Sequence, residues 1–188
     1  MVKIRKFIAY RRLERPYTRR SKFRNKNYVR SSPQNKIIKF NMGEMKKKFP
    51  YTITLVAKSN LQIRDSAIEA ARQTCLRYLE KYLLGNFYFI IRVYPHHMLR
   101  ENPLASGAGA DRMSTGMAAS FGKVIGIACR IFKGQIVFQV DCNKDGIEKV
   151  RKALIRAYQK LPNKFSIIVE ERIDKTLSSG KKAAKAEA

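Results

Sequence analysis

The sequence predicts an α+β fold over residues 49–172, preceded by a basic arm (1–48) and followed by a short basic tail (173–188). Three observations point to it. Segments with strand-like and helix-like apolar spacing are mixed, without the regular strand–helix–strand rhythm of a parallel sheet. Two segments repeat apolar residues at helical spacing, and the rest alternate or run apolar over strand lengths. The hydrophobic fraction, 45% of 188 residues, is enough for one real core.

The arm comes first. Residues 1–48 hold 17 Lys and Arg against two acids, Glu14 and Glu44. Its apolar anchors are few: Phe7, Ile8, Tyr10, Tyr17, Phe23 and Tyr28. Aromatics interleaved with cations suit RNA, since rings and guanidinium planes stack on bases while charges track phosphates. The plainer alternative is a solvated arm, and free in solution the arm is expected to be disordered, ordering on its partner. Ile37–Phe40 alternates enough for a short strand that closes it.

From residue 51 the chain reads as a domain. Tyr51–Ala57 is β-branched and alternating, hence a strand. A helix is predicted from about Ile63 to Tyr82, with Ile63, Ala67, Ala71, Cys75, Tyr78 and Tyr82 on its apolar face and Gly85 just past its end. Phe87–Tyr94 is an apolar strand that Pro95 breaks. After a long loop at 101–122, Val124–Phe132 and Gln135–Asp141 flank Lys133-Gly134 as the arms of a hairpin. Asn143 suits the N-cap of a second helix, Lys144 to Lys160, with Ile147, Val150, Leu154 and Tyr158 inward. Its other face carries Lys149, Lys152, Arg156 and Lys160, a solvated stripe or a phosphate-facing one. Pro162 ends the helix, Phe165–Val169 is a last strand, and the Lys/Ala-rich tail from Ser178 is expected to be mobile.

Charge narrows the function. A net charge of +26 destabilises a compact chain by self-repulsion, so a polyanionic partner is expected: nucleic acid, an anionic membrane or an acidic protein. Met1–Arg5 opens no secretory signal and no apolar run approaches membrane-spanning length, so a soluble intracellular protein without a membrane partner is expected. Cys75, Cys129 and Cys142 form no CxxC pair and read as reduced thiols. His96 and His97 are adjacent, so on an extended chain they point to opposite sides and would not share a metal. No metal or cofactor is expected, and no acid–base or nucleophilic constellation suggests an enzyme.

The loop Arg100–Lys123 is too long and too rich in small residues for a mere connector, and its glycines Gly107, Gly109, Gly116 and Gly122 allow close approach to a ligand. Gly107-Ala108-Gly109 begins like a dinucleotide fingerprint, but Arg112 stands where its third glycine belongs. Val124 follows Gly122-Lys123 where a P-loop needs Ser or Thr. Asp111-Arg112 is either a local ion pair shaping the loop or a turn that presents Arg112 to RNA.

Those residues carry a resemblance. Gly107-Ala108-Gly109-Ala110-Asp111-Arg112, Thr115-Gly116-Met117 and Phe121-Gly122-Lys123 resemble the archaeal-type branch of a large-subunit ribosomal protein family, called L sixteen in bacteria and L ten-e elsewhere. Arg15-Pro16-Tyr17, Ser21–Arg24, Ala67–Arg72, Ile91–Pro95 with Arg100, and Ala153-Leu154 with Lys160–Pro162 agree, over roughly residues 3–170. Arg24–Gln34 departs from the family's glycine/proline pattern. The resemblance implies a hammerhead-like arrangement of mixed or antiparallel β-structure and a ribosome-bound, cytoplasmic protein in large-subunit rRNA. It implies rRNA contacts at Arg15 and Ser21–Arg24 and a basic loop root at Arg100; with the basic pattern, the expected rRNA-binding set is Arg5, Arg11, Arg12, Arg15, Tyr17, Arg19, Arg20, Lys22, Phe23, Arg24, Lys26, Arg30, Arg72, Arg100 and Lys123. Gly107, Ala108, Gly109, Ala110, Asp111, Arg112, Met113, Gly116 and Met117 would lie near the tRNA acceptor region and the peptidyl transferase centre. Implied partners are large-subunit rRNA (5S rRNA is left open), tRNA and neighbouring ribosomal proteins, with no homo-oligomer. From another class, a chromatin-like basic DNA-binding protein fits the charge but lacks helix-turn-helix or zinc-finger spacing.

Overall fold

A bent ribbon of two long antiparallel strand pairs organises the computed structural model, which describes residues 5–13, 29, 31, 33–102, 107–109, 116–117, 121–162 and 164–172. The elements are β1 (Asn41–Gly43), β2 (Tyr51–Ala57), β3 (Leu61–Arg64), α1 (Asp65–Leu83), β4 (Phe87–Ile91), β5 (His97–Glu101), β6 (Lys123–Ile131), β7 (Ile136–Cys142), α2 (Ile147–Tyr158) and β8 (Phe165–Glu171). They build two antiparallel sheets, one of five strands in the order β1-β4-β7-β2-β8 and one of three in the order β3-β6-β5. The α+β class stands.

The ribbon explains why the predicted hairpin is absent. Lys133-Gly134 does form a turn, with the Gln135 N–H donating to the Phe132 carbonyl, but β6 and β7 do not pair with each other. Instead β7 pairs with β2, and β6 with β3. The register runs on across the bend: Val56 faces Ile136 and Leu61 faces Ile131. The bend itself is stitched by Gly134 N–H to the Ala57 carbonyl at 2.8 Å, Ala57 N–H to the Gln135 carbonyl at 3.0 Å, and Lys133 N–H to Asn60 Oδ1 at 2.6 Å. One half of the ribbon thus enters each sheet, and long-range pairing outweighs a local turn signal.

α1 and α2 pack on one face of the large sheet and on each other. The shared core includes Ile53, Leu55, Phe89, Phe138, Val140, Val150 and Leu154, all buried. α1 starts at Asp65, because Leu61–Arg64 is claimed by the small sheet; Ile63 is buried, but as a strand residue. Its inward stripe is Ile68, Ala71, Cys75, Leu79 and Leu83. Tyr78 lies at the margin and Tyr82 is 44% exposed, so the predicted face was rotated towards the tyrosines. The aliphatic stripe can be fully desolvated, whereas a tyrosine keeps its hydroxyl wet. Gly85 ends the helix with φ +72, as expected of a C-terminal stop.

Smaller differences have local causes. The strand that closes the arm is Asn41–Gly43 rather than Ile37–Phe40; Ile37 is buried in the core and the Phe40 carbonyl accepts from the Ile91 N–H. Asn143 makes no side-chain cap, because a single 3-10 turn at Lys144–Gly146 intervenes before α2. His97–Glu101 forms β5, which its short apolar content did not announce.

Candidate nucleic-acid interface

The pleat of the small sheet separates its residues into two faces. Ile63, Met98, Ile127 and Cys129 face inward and are buried. Gln62 and Arg64 of β3, His97 and Leu99 of β5, and Ala128 and Arg130 of β6 face outward, fixed by the pairings Gln62–Arg130, Arg64–Ala128 and His97–Ala128. No helix covers that outer face among the described residues; the start of the arm does.

Tyr10 is the anchor. Its ring packs with Leu99, Ala128 and Ile125 in a small apolar cluster of its own. The arm backbone then docks on β3: Gln62 Nε2 donates to the Tyr10 carbonyl at 2.7 Å and the Gln62 N–H to the Arg11 carbonyl at 3.2 Å. Arg64 donates to the Arg5 carbonyl at 3.4 Å and lies 5.7 Å from the Tyr10 ring centre. Further along the arm, Val29 packs against Met98 and Ile127 on the inward face. Described arm residues therefore touch both faces of this sheet.

The root of the glycine loop meets the arm at Glu101. This buried carboxylate takes an ion pair from Arg5 Nε and a hydrogen bond from the Tyr10 hydroxyl at 3.3 Å. Glu101 stands opposite Lys123 in register, so both strands leading to the loop are held there. Arg100 Nη1 donates to the Phe121 carbonyl at 2.5 Å, closing the loop's neck. Gly122 has φ +95, and a Cβ there would lie 3.0 Å from the Glu101 carbonyl, so only glycine suits this close approach.

The electrostatics are one-sided. Arg5, Arg11, Arg12, Arg64, Lys123 and Arg130 gather around the outer face with Glu101 among them, and Arg100 lies on the other face at the loop root, opposite Val124. Burial, then the charges of Arg130 and Arg100, pushes His97 down to about 4, so it is a neutral imidazole at physiological pH. Such a surface can hold phosphates with guanidinium forks and offer ring nitrogens to base or ribose groups.

Of the predicted rRNA contacts, Arg5, Arg11, Arg12 and Lys123 meet here, whereas Arg100 stands on the opposite face of β5. Arg72 does not join them either. It is buried, with Nε and Nη2 on the Glu69 carboxylate at 2.8 and 2.6 Å and Nη1 at 3.2 Å from Met42 Sδ. Those donors hold the Glu69 carboxyl below the usual carboxylate range. Arg72 is a core ion pair, and it leaves the RNA-facing set because its donors are turned inward. Arg15, Tyr17, Arg19, Arg20, Lys22, Phe23, Arg24, Lys26 and Arg30 lie outside the described residues, as do Ala110, Asp111, Arg112, Met113 and the tail 173–188. Gly107, Ala108, Gly109, Gly116 and Met117 are exposed. Nothing in the sequence singles out Arg64 and Arg130; only strand register brings them beside the arm. The cysteines are free and buried, and burial pushes their thiols up, Cys142 to about 11.

The chain has well-defined relatives. The model of the family described as ribosomal protein L16p/L10e matches residues 14–168. Proteins named large ribosomal subunit protein uL16 are similar to it. That of Methanocella arvoryzae is 42% identical over 164 residues, covering 86% of this chain and 92% of its own. That of Archaeoglobus fulgidus is 41% identical over 163 residues, covering 86% and 90%. That of Methanoculleus marisnigri is 43% identical over 165 residues, covering 87% and 93%.

Proposed function

The chain belongs to the ribosomal protein L16p/L10e family, and from that premise we propose that it binds large-subunit rRNA through the docked arm and the outer face of its small sheet. It is a structural constituent of the large ribosomal subunit, ribosome-bound in the cytoplasm, and not an enzyme. The glycine loop, rooted at Arg100, Glu101 and Lys123, reaches towards the peptidyl transferase centre and the acceptor region of bound tRNA. On this reading Gly107–Met113 is the tRNA-proximal segment. In that position it supports translation and the maturation of the subunit beside neighbouring ribosomal proteins.

The observation that carries this reading is the convergence of the arm's Arg5, Arg11 and Arg12 with Arg64 and Arg130 on one sheet face. Each phosphate neutralised releases counterions and adds about −0.9 (duplex) to −0.7 (single strand) to the slope of log affinity against log salt. The isolated protein is expected to bind large-subunit rRNA with a steep slope. Joint Arg11→Gln, Arg64→Gln and Arg130→Gln substitution should make that slope shallower by roughly 2–3. A flat salt response in the unaltered protein, or a preference for duplex DNA over structured rRNA, contradicts the proposal.

A further inference from the structure

The β8 edge of the large sheet is built for a different partner. β8 is the outermost strand of the large sheet and pairs only with β2 among the described residues. Its register is unbroken from Tyr51–Glu171 to Ala57–Phe165. At its ends the Arg172 N–H donates to the Pro50 carbonyl at 2.7 Å, and the Lys58 N–H to the Lys164 carbonyl at 2.9 Å. Antiparallel alternation then turns the backbone groups of Ser166, Ile168 and Glu170 towards β2. The N–H and C=O groups of Phe165, Ile167, Val169 and Glu171 point to the open edge.

Open edges are normally blunted by lysine, proline or a bulge, because a bare one recruits further strands. Phe165-Ser-Ile-Ile-Val-Glu-Glu171 contains none of these. Ile168 and Val169 are 41% and 44% exposed, one on each side of the strand. Glu170 and Glu171 are exposed too, and they are the only adjacent acids in a chain with 40 Lys and Arg. Phosphate would be repelled here, whereas a cationic chain would be attracted.

We propose that the open edge of β8 receives an extended, lysine- and arginine-rich segment of a neighbouring large-subunit protein as an added antiparallel or parallel strand. Ladder hydrogen bonds from Ile167, Val169 and Glu171 supply affinity, and Ile168 and Val169 select apolar side chains while Glu170 and Glu171 select cationic ones. The inference rests on the ribosomal reading for its setting, not on the RNA face.

The test uses purified large subunits carrying the full chain with p-benzoylphenylalanine in place of Ile168. After irradiation, the cross-linked peptide is identified by mass spectrometry. The proposal expects a cationic segment of another subunit protein. Its yield should fall about fivefold or more with Val169→Pro, which removes an edge-facing N–H but no bond to β2. The pair Glu170→Lys and Glu171→Lys, which leaves the backbone ladder whole, should lower the yield likewise and keeps the test decisive if the proline variant fails to fold. A cross-link to rRNA, to a second copy, to residues 173–188 of the same chain, or to nothing overturns the proposal. So does an undiminished yield in either folded variant. Absence of the unsubstituted chain from large subunits would instead overturn the ribosomal reading, so the two failures are distinct.

Discussion

A guanidinium serves RNA only where solvent can reach it, and burial divides the arginines of this chain accordingly. The Arg5 side chain is 53% exposed beyond its contact with Glu101, whereas Arg72 is 6% exposed and bound to Glu69. Replacing Arg72 with Ala would strand a buried carboxylate, at about 3–5 kcal/mol of stability. Denaturant unfolding should show that loss, while the salt slope for rRNA in the folded protein stays unchanged. A shallower slope with unaltered stability would return Arg72 to the interface. His97 gives a pH signature. Its value falls from 6.5 to about 4 in the folded state, chiefly through burial. Between those values the unfolded chain binds more protons, so stability present above 6.5 is lost as pH falls towards 4. His97→Gln should flatten the pH dependence of the melting temperature in that window; an unchanged curve would refute it. The charges themselves were legible in the sequence, but their partners were not. Glu69 lies three residues before Arg72, a spacing that marks a pair without revealing that helix packing buries it.

At the scale of elements, local patterns served where local physics decides. Tyr51–Ala57 became a strand as its alternation requires, and Gly85 stopped α1. They failed where a distant segment competes. The Lys133-Gly134 turn has hairpin chemistry, yet β2 and β3 take its flanking strands, and β3 takes the residues assigned to the first turn of α1. The arm's anchoring was hidden for the same reason, since Tyr10 meets Leu99 and Ala128 from the far end of the chain. Removing residues 1–13 should therefore expose the outer face of the small sheet while sparing the large one. Hydrogen exchange should speed up at the amides of β5 and β6 but remain slow in β2 and β7. Uniform acceleration in both sheets would mean that the arm is part of the main core. Deleting residues 105–114 should leave folding and rRNA affinity nearly intact, because Arg112 is the only basic residue removed. Subunit maturation or translation is expected to suffer, and an unfolded deletion variant would make the loop structural.

Over the whole molecule, two surfaces of the fold face different chemistries. One carries the arm, the loop root and a gathering of arginines; the other is an apolar strand edge with paired acids. A net charge of +26 is tolerable when phosphates lie against the first surface, and the salt that screens those phosphates should also loosen the protein's hold. Sedimentation of cell extracts tests this account most directly, with the protein followed through large-subunit fractions washed in rising salt. The account predicts that the chain travels with the large subunit through a high-salt wash, and that joint Arg11→Gln, Arg64→Gln and Arg130→Gln substitution releases it at lower salt. Finding the unsubstituted protein only in free fractions would contradict it.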